Sequence, residues 1–291
     1  MMQKEYLKIW ETAHKEIYNF IKNSNLSIKE YNFTKYFDYI TSQKDIIVLE
    51  HHFKDINILG TTKIDYLGRT ISYEKNSLPQ RQNFTKCHEI GHIILKHKGG
   101  TFTEQIDNKS PIEIQADFFA SIMLAPDIVL MKKVIEENKN FYSIANELKI
   151  SNQALELRLS HLVQFYNKIK YTDGNNIAKS FRNSDYDSYK LKKIISQYKE
   201  EIINNFKNTM VDPQKKLDYM LHNQELFISN FDIDILNKED IRKDITTEFP
   251  NYEFWACYNK GKSIWFCWNN LILTKSEACK IAQDTLLKNI Y

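Results

Sequence analysis

Glycine and proline are scarce in this chain, 7 and 5 among 291 residues, which argues for long regular elements and few flexible linkers. Its four cysteines, Cys87, Cys257, Cys267 and Cys279, form no CxxC pair and no short-spaced framework, so they read as reduced thiols. Long apolar runs are missing too, and nothing approaches the roughly 18 to 20 residues that a membrane span needs. Residues 1–20 are broken by charges every few positions and lack the apolar stretch of a signal peptide. A cytoplasmic location is the expectation. Charge of one sign is lacking as well. Forty basic residues against 37 acidic ones give +3, which excludes binding a polyanion by bulk charge alone. What is present is ordinary globular composition, 42% hydrophobic and 13% aromatic, and enough chain for a core without disulfide props.

The pattern along the chain is α+β. Residues 3–23 read as an amphipathic helix with Leu7, Trp10, Ile17 and Ile21 on one face. A second helical pattern covers 27–43. The run 45–50 reads as a strand, and 58–65 and 69–74 flank Tyr66-Leu67-Gly68 as a hairpin. Helical patterns follow near 84–98, 111–125 and 127–138, and then a helix-turn-helix-like stretch from 141 to about 167. The segment Tyr171-Thr-Asp-Gly-Asn-Asn-Ile177 reads as a linker, because Asp-Gly-Asn is turn chemistry. Three parts are therefore expected: a domain over 1–140, a helical segment over 141–170, and a separate small α/β module over 176–291. In that module a hairpin over 254–268 turns at Lys260-Gly261, and its aromatic residues occupy both faces. Helices at 186–228 and 275–289 are expected to cover it. The last helix opens on Thr274-x-x-Glu277, the spacing of a capping box.

The chemistry is concentrated at His88-Glu89-Ile90-Gly91-His92, an HExxH motif inside a helical pattern. Four residues advance a helix by about 400°, so both imidazoles share one face, one turn apart. That is what a tetrahedral metal needs from two ligands on one element, and Glu89 is placed to take a proton from water at the open position. Chance would give HExxH on the order of once in a hundred such chains, as a surface helix carrying two histidines. The apolar stripe of Phe84, Cys87, Gly91, Ile94 and Leu95 argues instead for a packed helix. Gly91 costs about 1 kcal/mol relative to alanine there, which makes sense if another element approaches closely.

The third ligand is not on the same helix. Lys98 stands where a metzincin would carry its third histidine, and His97 falls about 180° from His88 if the helix runs on. His97 then reads as a polar residue near a helix C-terminus. Glu113 is the better candidate. Ser110-Pro-x-Glu113 also has the form of a capping box, so a purely structural role competes. Ala116, Asp117 and Ala120 share the face of Glu113, and the two alanines would let that face press on Gly91. Asp117 could then accept a hydrogen bond from a ligand histidine.

The run from Arg81 through Phe84-Thr85 to His88-Glu89-Ile90-Gly91-His92, followed by Glu113…Ala116-Asp117…Phe119-Ala120…Leu124-Ala125-Pro126, resembles the ImmA/IrrE family of zinc metallopeptidases. The resemblance covers about residues 40–165. Cys87 stands where that family usually has alanine, and Asp117 where it usually has asparagine. The resemblance implies a zincin-like domain, with a small sheet beside the HExxH helix and the Glu-bearing helix. It implies one Zn²⁺ bound by His88, His92 and Glu113, with Glu89 as catalytic base. It implies a protein substrate, a helix-turn-helix transcriptional repressor cut at a limited site. The alternatives are a peptidase acting on another partner such as a toxin, and a non-catalytic zinc-containing regulator that binds a repressor or DNA.

Three weaker features read as structural. The stretch 152–161, where a recognition helix would lie, holds one arginine and one glutamate, too little for phosphate contacts, so docking or support is favoured over DNA binding. His51 and His52 are neighbours in an extended run and point to opposite faces, which suits surface histidines. A two-residue turn at Lys260-Gly261 sets Cys257 opposite Ile264, which excludes a direct cross-strand disulfide with Cys267.

Overall fold

The computed structural model describes residues 4–290 apart from Asn25, Ile56, residues 106–109 and Lys260. The chain divides into two units, one of Met1–Ile21 with Leu26–Met210, the other of Lys22–Asn25 with Val211–Tyr291.

The first unit opens with helices α1 (Lys4–Asn23) and α2 (Phe33–Gln43) and strands β1 (Ile46–His51), β2 (Ile58–Asp65) and β3 (Gly68–Glu74). Helix α3 (Pro79–Ile94), strand β4 (Thr101–Gln105) and helix α4 (Pro111–Leu124) follow. Then come α5 (Asp127–Met131), a π-helical turn at Lys132–Glu136, and helices α6 (Phe141–Leu148) and α7 (Asn152–Asn167). Helices α8 (Tyr171–Asn183), α9 (Tyr189–Gln197) and α10 (Lys199–Asn208) complete it. The sheet runs β1-β3-β2-β4, with β1 parallel to β3 and the other pairs antiparallel. β4 is absent from the periodicity reading. It has five residues, and Phe102 and Glu104, buried at 4% and 0%, share one face, too short an alternation to stand out.

Two local expectations change. Trp10, Ile17 and Ile21 of α1 are buried, but Leu7 is 40% exposed, so the apolar face starts one turn later. Residues 171–177 are not a linker but the start of α8. Gly174 is the reason: a Cβ there would sit 2.9 Å from Gln164 Cγ and 3.0 Å from the Ser160 carbonyl oxygen. The glycine lets α8 lie against α7, a packing role rather than a turn. Helices α8, α9 and α10 accordingly lie in the first unit, so 186–208 does not open the C-terminal module.

The helix-turn-helix-like stretch is two capped helices. Asn140 Oδ1 accepts from the Ser143 amide at 2.9 Å, Lys149 turns the chain at φ 54°, and Ser151 Oγ accepts from the Ala154 amide at 3.1 Å. Behind it sits a buried charge cluster joining α1, α5 and α7. The Asp127 carboxylate accepts from the Arg158 guanidinium and from Tyr166 Oη at 2.8 Å, with His14 Nε2 3.3 Å away. Burial alone would raise the Asp127 carboxyl, but His14, Arg158 and Tyr166 hold it well below its ordinary range. Asp127→Ala strands the Arg158 charge in the core and is expected to cost about 3–5 kcal/mol in urea unfolding. Because the folded value is depressed, this contribution is present above the unfolded carboxylate's pKa and is lost as pH falls through the folded value. Wild type should therefore lose stability more steeply in acid than Asp127→Asn.

The second unit holds α11 (Pro213–His222), β5 (Phe227–Ser229), α12 (Glu239–Glu248), β6 (Tyr252–Asn259), β7 (Lys262–Asn269) and α13 (Lys275–Ile290). Its antiparallel sheet runs β5-β7-β6, and Cys257 pairs with Ile264 as the turn length requires. Gly261 has φ 84°, while Lys260, the other half of the expected turn, lies outside the described residues. Leu217, Met220 and Leu221 pack with Ile228, Tyr252 and Cys267. The Thr274–Glu277 capping box forms, with Glu277 Oε2 accepting from the Thr274 amide at 2.8 Å. No described helix is long and apolar enough to cross a membrane.

Candidate metal centre

Helix α3 carries the HExxH residues, and its Gly91 sets the distance to the next helix. A Cβ on Gly91 would lie 3.4 Å from Ala116 Cα and 3.1 Å from the Phe119 ring. Cys87 fills the same seam, 3.7 Å from the Ala120 carbonyl oxygen, and burial pushes its thiol well above the ordinary range. This close pairing of α3 with α4 brings Glu113 to the histidines. His88 Nε2 is 2.9 Å from Glu113 Oε2 and 3.1 Å from His92 Nε2, and His92 Nε2 is 3.5 Å from Glu113 Oε1. Ser110 starts α4 but makes no side-chain cap bond, so the capping-box alternative for Glu113 does not form. Asp117 Oδ1 lies 2.9 Å from His88 Nδ1, on the far side of that ring.

His97 is not on the helix. The chain leaves α3 at Leu95, and Lys96 at φ 55° reverses it, so His97 comes back to His92 with the Nδ1 atoms 3.0 Å apart. The sequence reading placed His97 around the helix because it carried the helix to residue 98. Gly99, at φ 146°, belongs to the same turn. His51 and His52 are exposed, as expected of surface histidines.

Glu89 points into the sheet. Its Oε2 accepts from Thr62 Oγ1 on β2 at 2.5 Å, while its Oε1 is buried with no partner among the described residues. Gly60 makes this possible, since a Cβ there would lie 2.7 Å from Glu89 Oε1 and 2.4 Å from the Thr85 methyl. From β4, Glu104 Oε1 accepts from Arg81 at 2.6 Å, and Phe102 stacks on His92 with centroids 4.4 Å apart. Of these neighbours, Arg81 and Thr85 lie in the run that carries the family resemblance and Gly60 is a glycine inside a strand pattern, whereas Thr62, Phe102 and Glu104 gave no sequence signal.

The electrostatics follow from burial among carboxylates. Burial pushes the Glu89 carboxyl up to about 8, helped by Glu104 and Glu113 against His88 and Thr62. Burial would lower His88, but hydrogen bonds to Asp117 and Glu113 outweigh it and raise it to about 10. Glu113, which burial would raise, is held near 2 by the two histidines, and burial lowers His92. Without a bound ion, His88 thus supplies the positive charge that the carboxylates ask for.

One nitrogen of His88, one of His92 and one oxygen of Glu113 lie within 4.8 Å of one another, as do atoms of His88, Glu104 and Asp117. A cation can take the place of the Nε2 proton: His88 then keeps its Nδ1 hydrogen on Asp117 and presents a lone pair at Nε2 beside the Glu113 carboxylate. The donor set, two imidazoles and a carboxylate, is one that suits zinc. Residues 41–160 match the family described as IrrE N-terminal-like domain, a peptidase family. That segment is an ImmA/IrrE-family domain. It spans the four-stranded sheet, α3, α4 and most of α7, so the His/Glu cluster lies inside it. Membership implies a peptidase and with it a protein substrate. No curated protein matches the chain.

Proposed function

We propose that the ImmA/IrrE-family domain is a zinc-dependent endopeptidase that cuts a regulatory protein, a helix-turn-helix repressor in the first instance. His88, His92 and Glu113 would hold the ion. An ion so held polarises a peptide carbonyl and lowers the pKa of water. The observation that carries the reading is the convergence of two imidazoles and a carboxylate on one point, with Glu89 between the two histidines on the same helix and its buried Oε1 without a partner among the described residues. A structural zinc site has no use for such a group. Glu89 takes a proton from the attacking water at Oε1 while Thr62 fixes Oε2, and it returns the proton to the leaving nitrogen. Asp117, at His88 Nδ1, orients that ring. Arg81, tied to Glu104, keeps a cation beside the site.

A polypeptide substrate is further supported by a cavity of about 890 Å³ that Asp117 lines in the first unit. Its floor is apolar (Phe84, Phe118, Leu157), and its α7 wall offers the amides of Asn152 and Gln153, which match the donors and acceptors of a peptide backbone. Leu157 is 39% exposed, so Leu157→Asp is expected to leave the fold intact. Its expected effect is a rise in KM of about tenfold at unchanged zinc content. An unchanged KM would remove this cavity from the substrate path.

The function is tested by mapping protein N-termini by mass spectrometry in cells expressing wild type or Glu89→Gln. A new N-terminus within a helix-turn-helix repressor, made only by wild type, is the expected result. A Glu89-dependent cut in another class of protein would keep the peptidase and replace the repressor. Identical N-termini would sink the peptidase reading.

A further inference from the structure

The three described members of a hydrogen-bond chain behind His92 come from distant parts of the sequence. His97 Nε2 lies 3.0 Å from Gln115 Oε1, and Gln115 Nε2 donates to Glu5 Oε1 on α1 at 2.7 Å. We infer that Glu5, Gln115 and His97 form a relay that fixes His92 in the tautomer able to bind a metal. This rests on the reading of His88, His92 and Glu113 as ligands.

The polarity of the relay is set from its outer end. A carboxylate has no hydrogen to give, so Gln115 must turn its NH₂ to Glu5 and its oxygen to His97. That oxygen only accepts, so His97 carries its hydrogen on Nε2 and, as a neutral ring, a lone pair on Nδ1. Two lone pairs cannot meet at 3.0 Å, so His92 Nδ1 must carry the hydrogen that bridges to His97. His92 Nε2 is then a lone pair, directed at His88 Nε2 and Glu113. Reversing any link would set the amide oxygen against the Glu5 carboxylate. His88 reaches the same tautomer in one step, through Asp117. His92 needs three bonds because the Lys96 reversal puts an imidazole, not a carboxylate, behind it.

These are positioning residues, and the readout is metal affinity. Zinc dissociation constants would be measured by competition with a chromophoric chelator, with the cobalt(II) absorption spectrum reporting ligand geometry. His97→Leu is expected to weaken zinc binding by about 10- to 100-fold. Gln115→Leu should lose less, and Glu5→Ala, at the exposed end, least. His97→Asn should retain most of the affinity and the cobalt spectrum, because its Oδ1 can accept from His92 Nδ1. Wild-type affinity in His97→Leu would overturn the relay, and so would a His97→Asn chain as weak as His97→Leu. Melting curves of each metal-free variant guard against misfolding. If His92→Ala itself kept full zinc affinity, the ligand reading would fail. If His92→Ala lost zinc while His97→Leu did not, the relay alone would fail.

Discussion

Glu89→Gln is expected to lower hydrolysis of the protein substrate by about 10²- to 10⁴-fold, with zinc content and fold unchanged. The substitution keeps the size of the side chain and an oxygen that can accept from Thr62 Oγ1, which now donates to Glu89 Oε2. It removes only the group able to take a proton. Burial, with Glu104 and Glu113, pushes the wild-type carboxyl up to about 8, so in the ion-free chain at neutral pH it is already mostly protonated and a neutral amide changes its charge little. The variant should therefore melt no lower than wild type. Initial rates with equal zinc loading check the prediction; a rate within a few-fold of wild type would mean that Glu89 is not the base.

The second large effect separates the two histidines. His88→Ala and His92→Ala should both bring zinc from one ion per chain to none, read by atomic emission after dialysis, because a site of three ligands does not survive as two. Their metal-free stabilities should differ. His88 is raised to about 10, so at neutral pH its imidazolium balances Glu113 and Asp117, whereas burial lowers His92 and leaves it neutral. Removing the His88 cation strands carboxylates beside each other and should cost about 3–5 kcal/mol in the metal-free chain. His92→Ala should cost less, since its loss is packing against Phe102. Adding zinc should stabilise wild type in proportion to ln(1 + [Zn]/Kd) and neither variant. Equal metal-free losses would contradict the charge assignment.

What could be read from the sequence was whatever lies on one helix or on two helices with small residues between them. His88 and His92 are one turn apart with Glu89 next to the first, and Gly91 with Ala116 forecast the helix contact that brings Glu113 and Asp117 in. The residues that needed the three-dimensional structure come from elsewhere in the chain. Thr62 and Gly60 meet Glu89 only once β2 lies under α3, and Glu104 comes from a strand too short to show a period. His97 was misplaced for a local reason, a left-handed Lys96 that no proline or neighbouring cap announced. Gly174 failed in the opposite direction. Asp-Gly-Asn is turn chemistry in isolation, but here contact with Ser160 on α7 decides the conformation.

The most direct test of the central claim is a substrate trap. Tagged wild type and Glu89→Gln, both zinc-loaded, would be drawn from lysates of the native cell and their bound proteins identified and sized. The account predicts that Glu89→Gln holds an intact helix-turn-helix repressor that wild type has cut into two fragments and released. If both chains hold the same uncut partner, or DNA, the protein is a binding regulator and the catalytic account is wrong.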